Sequence, residues 1–275
     1  MSRSARRIVK TPAPMVLVLS AAVLVLTPGC ALMENGRRWG EDATVAPGWD
    51  VVSSSAIENV SSPRFLIPTC LALVLQIDDL DERVSRWATR HTPTSGSTRR
   101  AERTSSSLRS ASIILYHASA LATPGGPEPW PWLESKAKGY AVQLGAAALN
   151  NELVFVLKDA CPRRRPLGGD DESFPSGHAA NAAMFTTLAS RNVAAMGLGP
   201  AARTSADVLL LGLAVAVAWE RVEAGAHYPS DVLAGMAMGS LLAAFANDAF
   251  MGTTLRVGPQ ADSGGRIFAG FSVEF

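Results

Sequence analysis

The feature that most constrains the fold is a series of long segments with helical periodicity in the second half of this 275-residue chain. They cover residues 132–158, 176–191, 205–222 and 229–250 and are rich in alanine, leucine and valine. Aromatic residues make up only 7% of the chain, which favours helices packed closely on helices. The sequence therefore predicts an all-α bundle of about five or six helices.

These segments also bear on whether the chain crosses a membrane. The uninterrupted apolar runs in 205–222 and 229–250 are roughly 13 to 15 residues long, below the ~20 of a comfortable span. Segment 132–158 carries Glu134, Lys136, Lys138 and Glu152, and charges are costly in lipid. The sequence favours a bundle held at a membrane surface, with a polytopic membrane enzyme as the alternative.

Residues 1–30 are typical of an export signal rather than of a folded domain. A basic start precedes an apolar run at 15–26 and then Thr27-Pro28-Gly29-Cys30. This resembles a bacterial lipoprotein signal with Cys30 as the lipidated residue; ordinary cleavage and a retained anchor are the alternatives. Each alternative places the folded part outside the cytoplasm, and we expect a membrane-anchored, periplasm-facing protein of the bacterial envelope.

The remaining divisions follow from composition. Residues 31–62 are interpreted as a tether and irregular arm, 63–252 as the bundle, and 253–275 as a tail. The last ten residues alternate in polarity and predict a short strand paired with the N-terminal arm. Residues 92–107, rich in Ser, Thr and Arg, are interpreted as a mobile loop that precedes a helix at 108–122. Pairing of Cys70 with Cys161 stays open.

Three segments carry the residue types that phosphoryl chemistry needs. They are Lys158-Asp-Ala-Cys-Pro-Arg-Arg-Arg165-Pro166, Pro175-Ser176-Gly177-His178 and Arg221-Val-Glu-Ala-Gly-Ala-His227-Tyr-Pro-Ser-Asp231. Lys158, Arg165 and Arg221 can neutralise the oxygens of a phosphoryl group. Ser176 and Gly177 fall where a helix should begin, and a helix start offers free N–H groups to an anion.

The two histidines complete a metal-independent mechanism. His227 and Asp231 are four residues apart, so on a helical turn the carboxylate can orient the imidazole for nucleophilic attack. His178 can protonate the leaving group and then activate water. The chain shows no zinc-type ligand spacing, and we expect neither a metal nor another cofactor.

Taken together, the segments resemble the three signature motifs of the type 2 phosphatidic acid phosphatase superfamily, which includes acid phosphatases and vanadium haloperoxidases. The motif Lys-x6-Arg-Pro matches Lys158, Arg165 and Pro166, and Pro-Ser-Gly-His matches residues 175–178. Ser-Arg-x5-His-x3-Asp matches Arg221, His227 and Asp231, except that Glu220 replaces the serine. The resemblance covers roughly residues 149–249.

The resemblance implies a phosphatase for phosphomonoesters or diphosphates, with a phosphohistidine at His227. A phosphorylated lipid or a small phosphoester is the expected substrate. A vanadate-dependent haloperoxidase and a non-catalytic phosphate-binding envelope protein are the competing hypotheses. The net charge of +1 gives no sign of nucleic-acid binding. Arg163 and Arg164, beside the first motif, are interpreted as solvated or as attracting anionic lipid headgroups.

Overall fold

The computed structural model describes residues 31–252, 254–261 and 267–274. The lipidation site predicted at Cys30 and the rest of the export signal lie outside the described residues. Of the predicted C-terminal strand, residues 266 and 275 also lie outside them.

The described part of the chain contains eight α-helices. They are α1 (Trp49–Val60), α2 (Pro63–Val74), α3 (Leu80–His91), α4 (Thr98–Ala122), α5 (Pro129–Ala160), α6 (Gly177–Ala194), α7 (Pro200–Glu223) and α8 (Pro229–Phe250). A 3₁₀ turn at Ile77–Asp79 precedes α3. Two strands follow the bundle, β1 (Thr254–Ala261) and β2 (Ile267–Glu274).

The all-α prediction is confirmed, but five or six helices was too few. Helix α1 lies within the segment interpreted as an irregular arm, and α3 was not anticipated. Their buried faces are mostly polar: Ser55 and Asn59 in α1, and Asp81 and Ser85 beside Ala88 in α3. Because periodic apolar residues are the main signal of an amphipathic helix, such helices are not found from the pattern.

Helix α4 begins ten residues earlier than predicted, so most of the segment interpreted as a mobile loop is helical. Ser97 caps the helix, and its side chain accepts a hydrogen bond from the Arg100 N–H at 3.3 Å. Within the helix Ser105 Oγ donates to the Glu102 carbonyl at 2.8 Å. Ser105 and Ser112 are completely buried. Packing of small side chains against neighbouring helices therefore overrides their weak helix propensity.

Helix α6 is the central element of the bundle and packs against α4, α5, α7 and α8. Five of its eleven buried residues are alanines, and Met184, Phe185 and Leu188 are the larger apolar members. Small side chains let the surrounding helices approach closely from several sides. The N-terminus of α6 is thereby held in a fixed position relative to its neighbours.

Two glycines of α8 set the distance between α8 and α6. A Cβ at Gly235 would lie 2.6 Å from the Ser176 carbonyl oxygen, and one at Gly239 would overlap the Ala180 carbonyl oxygen. Both contacts are with backbone, which cannot move without shifting α6. The two helices therefore touch along a glycine face.

We expect Gly239→Ala to destabilise the protein by about 1–3 kcal/mol through overpacking, and to lower activity by displacing α6. Gly212→Ala in α7 is the matched control, because a Cβ there has no neighbour within 4 Å. Since alanine is the better helix former, that change should be neutral or stabilising by up to about 1 kcal/mol. Thermal unfolding in detergent measures the stability of both variants. Equal unfolding midpoints of the two variants would contradict the close packing at Gly239.

Three of the described helices, α5, α7 and α8, are long and apolar enough to cross a membrane. Helix α7 leaves Val208, Leu209 and Val215 at least half exposed. The prediction from uninterrupted apolar runs was too strict, because small residues and isolated polar residues interrupt a run without ending the apolar helix. By length and composition, these three helices leave a polytopic arrangement open.

Strands β1 and β2 pair antiparallel with each other, Thr254 opposite Glu274 and Ala261 opposite Ile267. The predicted partner of the C-terminal strand was the N-terminal arm, and this was wrong. Cys70 and Cys161 are both exposed and unpaired in the structure.

Candidate active site

Four helix ends meet at one end of the bundle. Helices α5 and α7 finish there, and α6 and α8 begin there. The Ser176 N–H donates to the Asp231 carbonyl at 3.0 Å, and the Leu167 N–H donates to the Gly225 carbonyl at 3.3 Å. These bonds dock the loop before α6 onto the turn before α8, so the three motifs lie side by side.

The loop between α5 and α6 folds back on itself. The Arg163 N–H donates to the Asp171 carbonyl, and the Ser173 N–H donates to the Arg163 carbonyl, both at 2.8 Å. Lys158 Nζ donates to the Glu172 carbonyl. The loop is therefore an ordered platform that places Ser173 beneath the third motif.

His227 is 2% exposed, and its Nδ1 lies 2.5 Å from the Ser173 carbonyl oxygen. A carbonyl oxygen only accepts hydrogen bonds, so in the neutral ring the proton must be on Nδ1. The lone pair is then on Nε2. This is the tautomer that a histidine nucleophile attacking through Nε2 requires.

Asp231, predicted to orient His227, is connected to it in the structure through Ser173. Its completely buried carboxylate accepts hydrogen bonds from Ser173 Oγ at 2.6 Å and from the Tyr228 N–H at 2.9 Å. Ser173 thus links the aspartate to the histidine, because its hydroxyl donates to Asp231 and its carbonyl accepts from His227. Orientation of His227 by Asp231 stays a prediction. Ser173 was missed because it lies outside the three motifs.

Arg163 binds two buried carboxylates. It donates to Asp231 at 2.5 Å and to Asp81, at the start of α3, at 2.8 Å. Its guanidinium lies 4.1 Å from the centre of the Tyr228 ring. The interpretation of Arg163 as a solvated side chain was therefore wrong, whereas attraction of lipid headgroups stays a prediction. Its neighbour Arg164 is exposed.

His178 lies in the first turn of α6, with Nε2 3.4 Å from Ser106 Oγ of α4. Burial, together with the positive charges of Arg221 and Arg109, lowers the pKa of His178 to about 4. Burial and the charge of Arg221 likewise hold the pKa of His227 well below 6.5. Both rings are therefore neutral at pH 7 without a ligand. A bound phosphate would offset the surrounding positive charge and raise both pKa values.

The predicted cations differ in their pairing. Arg165 binds Asp170 at 2.5 Å and the Ala226 carbonyl at 3.4 Å. Arg221 is 5% exposed and donates only to Ser105 Oγ at 3.5 Å; its Nε has no partner among the described residues. A buried arginine without a carboxylate is costly in isolation. Arg221 thus retains its charge for an anionic ligand.

Ser176 and Gly177 start α6 as predicted. The Ser176 backbone N–H is occupied by the Asp231 carbonyl, whereas its buried Oγ has no partner in the described structure. A Cβ at Gly177 would lie 3.3 Å from Val154 of α5. Phosphate binding by both residues stays a prediction, in which Ser176 would act through its hydroxyl.

Glu220, which replaces the serine of the third motif, binds the loop before α4. It accepts hydrogen bonds from Thr94 Oγ1 at 3.0 Å and Ser95 Oγ at 2.6 Å. Glu223 accepts from the Thr94 N–H at 3.0 Å. The glutamate thus anchors the N-terminal end of α4 beside the site.

No cluster of three or more His, Cys, Asp or Glu side chains in the described ranges is arranged to hold a metal ion. The positive groups near the two histidines are all side chains of the protein.

Residues 126–252 match the PAP2 superfamily model. The match contains all three motifs and runs from just before α5 to the end of α8. A search of solved structures finds the first transmembrane PAP2 type phosphatidylglycerolphosphate phosphatase from Bacillus subtilis, at 22% identity and a TM-score of 0.46. That alignment covers 68% of this chain and 92% of the other. No curated protein matches the chain.

Proposed function

We propose that the chain is a metal-independent phosphatase that hydrolyses phosphomonoesters or diphosphates through a phosphohistidine at His227. The observation that carries this proposal is the hydrogen bond from His227 Nδ1 to the Ser173 carbonyl. It leaves Nε2 unprotonated in a buried position beside three cations of the PAP2 motifs. Simple anion binding does not require such a nucleophile.

In the first step, His227 Nε2 attacks phosphorus and the P–O bond to the leaving group breaks. Arg221, Arg165 and Lys158 stabilise the charge on the equatorial oxygens. His178 donates a proton to the departing oxygen. His178 carries that proton when the dianionic substrate has raised its pKa.

In the second step, neutral His178 removes a proton from water, and the hydroxide attacks the phosphohistidine. The N–P bond breaks, the electron pair returns to Nε2, and inorganic phosphate leaves. Ser173 holds the ring through both steps, and Asp231 holds Ser173. This arrangement resembles the orientation of a catalytic histidine by a buried carboxylate, with a backbone carbonyl interposed.

A lipid phosphate is the substrate we favour. Helices α5, α7 and α8 are apolar enough to cross a membrane, and the site lies at their ends rather than at their middles. A lipid phosphate would place its headgroup at such a position while its chains remain in the bilayer. The export signal and the possible lipid anchor at Cys30 agree with an envelope location that faces the periplasm.

The test is phosphate release by the purified protein, in EDTA, from phosphatidic acid, a prenyl diphosphate and an aryl phosphate. We expect release that survives EDTA and falls to background in His227→Ala. His91→Ala is the control, because His91 is exposed and its hydrogen bond and ring contact are with Trp87 of the same helix.

Equal release by His227→Ala and the wild type would overturn the phosphohistidine mechanism. Bromide oxidation after addition of vanadate, without phosphate release, would identify a haloperoxidase instead. Phosphate binding without either reaction would identify a binding protein.

A further inference from the structure

Helix α4 contributes a polar face to the site, although none of its residues belongs to a PAP2 motif. Ser105 Oγ accepts from Arg221, and Ser106 Oγ lies 3.4 Å from His178 Nε2. Arg109 follows one turn later, between the completely buried Ser105 and Ser112. Arg109 therefore lies on the face of α4 that packs against α6 and α7.

Arg109 is a cation without an anionic partner. It is partly buried, its Nε is buried without a hydrogen-bond partner, and it forms no ion pair with any residue of the described ranges. Structural arginines elsewhere in the bundle do have carboxylate partners, as Arg191 has Asp248 at 2.7 Å. An unpaired guanidinium beside His178 fits a site that an anion fills.

The position of Arg109 is on the leaving-group side of the reaction. It shares its helix face with Ser106, which contacts His178, the proposed acid for the leaving oxygen. After burial, Arg221 and Arg109 are the charges that most lower the pKa of His178. For His227 the leading charges are Arg221, Arg165 and Lys158. Arg109 is thus among the leading charges at His178 but not at His227.

We propose that Arg109 binds the leaving group and favours substrates whose leaving group is itself a phosphate, that is, organic diphosphates. This inference rests on the proposed phosphatase function. When His227 attacks the terminal phosphorus of a diphosphate, the bond to the bridging oxygen breaks. The electron pair stays on that oxygen, which His178 protonates, and an anionic organic phosphate departs. A monoester releases an uncharged alcohol, which offers Arg109 no lasting charge.

The experiment compares dodecyl diphosphate with dodecyl phosphate, which share one hydrocarbon chain. We expect Arg109→Gln to lower kcat/KM about 100-fold for the diphosphate and less than about tenfold for the monophosphate. Arg109→Lys should retain part of the kcat/KM for the diphosphate that Arg109→Gln loses. Arg103→Gln, an exposed arginine of the same helix, is the control and should match the wild type on both substrates.

An equal loss on both substrates, or no loss on either, would overturn the role of Arg109. Binding gives a second measurement that does not depend on turnover. We expect pyrophosphate to raise the thermal unfolding midpoint of the wild type more than inorganic phosphate does, and Arg109→Gln to remove that difference. A variant that is still stabilised more by pyrophosphate than by phosphate would contradict the proposal. A wild type that releases no phosphate from either ester would instead refute the phosphatase function.

Discussion

We expect the His178→Asn variant to become phosphorylated on His227 and then to stop. An aryl phosphate has a leaving group that departs without protonation, so the first step needs little from His178. The second step needs a base to activate water, and His178 is the base that we propose for it. Steady-state turnover should therefore fall by about 10²- to 10⁴-fold, while one equivalent of phenol is released rapidly.

A rapid-quench measurement with a nitrophenyl phosphate tests this expectation. The burst of nitrophenol should approach one per protein, and the denatured protein should carry a phosphate that is stable in alkali and lost in acid. His91→Asn, at an exposed position on α3, should turn over like the wild type. A His178→Asn variant that turns over within a few-fold of the wild type would show that another group activates water.

We expect Arg163→Met to destabilise the protein by about 2–4 kcal/mol. Among the described residues, Arg163 is the only cation that forms an ion pair with Asp81 and Asp231, whose side chains are 5% and 0% exposed, and the change removes it. Breaking a fully buried pair from one side costs about 3–5 kcal/mol; the expected loss is smaller because Arg163 is 30% exposed. Since Asp231 holds Ser173 and thereby His227, kcat should also fall at least about tenfold.

Thermal or denaturant unfolding in detergent measures the stability, and phosphate release measures kcat. Arg164→Met is the matched control one residue away; because that side chain is exposed, its effect should stay within about 0.5 kcal/mol. The double variant Asp81→Asn, Arg163→Met should lose less free energy of unfolding than the two single variants lose in sum. Equal effects of the Arg163 and Arg164 variants would show that the buried ion pairs contribute nothing.

The three motifs could be found from the sequence because each carries several unusual residues at fixed spacing. Their convergence at one end of the bundle follows from helix order: the first and third motifs include helix ends, and the second is a helix start. The bounds of α8 also agree with the prediction, since prolines and polar residues mark its start.

The supporting residues could not be found in this way. Ser173, Ser106 and Asp81 reach the site from a loop and two helices without any motif, and only tertiary contacts reveal them. Arg163 was noticed but given the wrong environment, because sequence spacing does not show that two distant aspartates surround it. Helices α1 and α3 were missed for the same reason. Their buried faces are mostly polar, and the hydrogen-bond and ion-pair partners of those polar groups lie far along the chain.

The meeting of four helix ends has a consequence for the direction of the chemistry. A bilayer-spanning arrangement of α5, α7 and α8 would hold His178 and His227 at the level of a single leaflet. Such an enzyme is vectorial: it removes phosphate only from lipids that present their headgroups on that side and releases phosphate into that compartment alone. Lipids of the opposite leaflet would then be hydrolysed no faster than they cross the membrane.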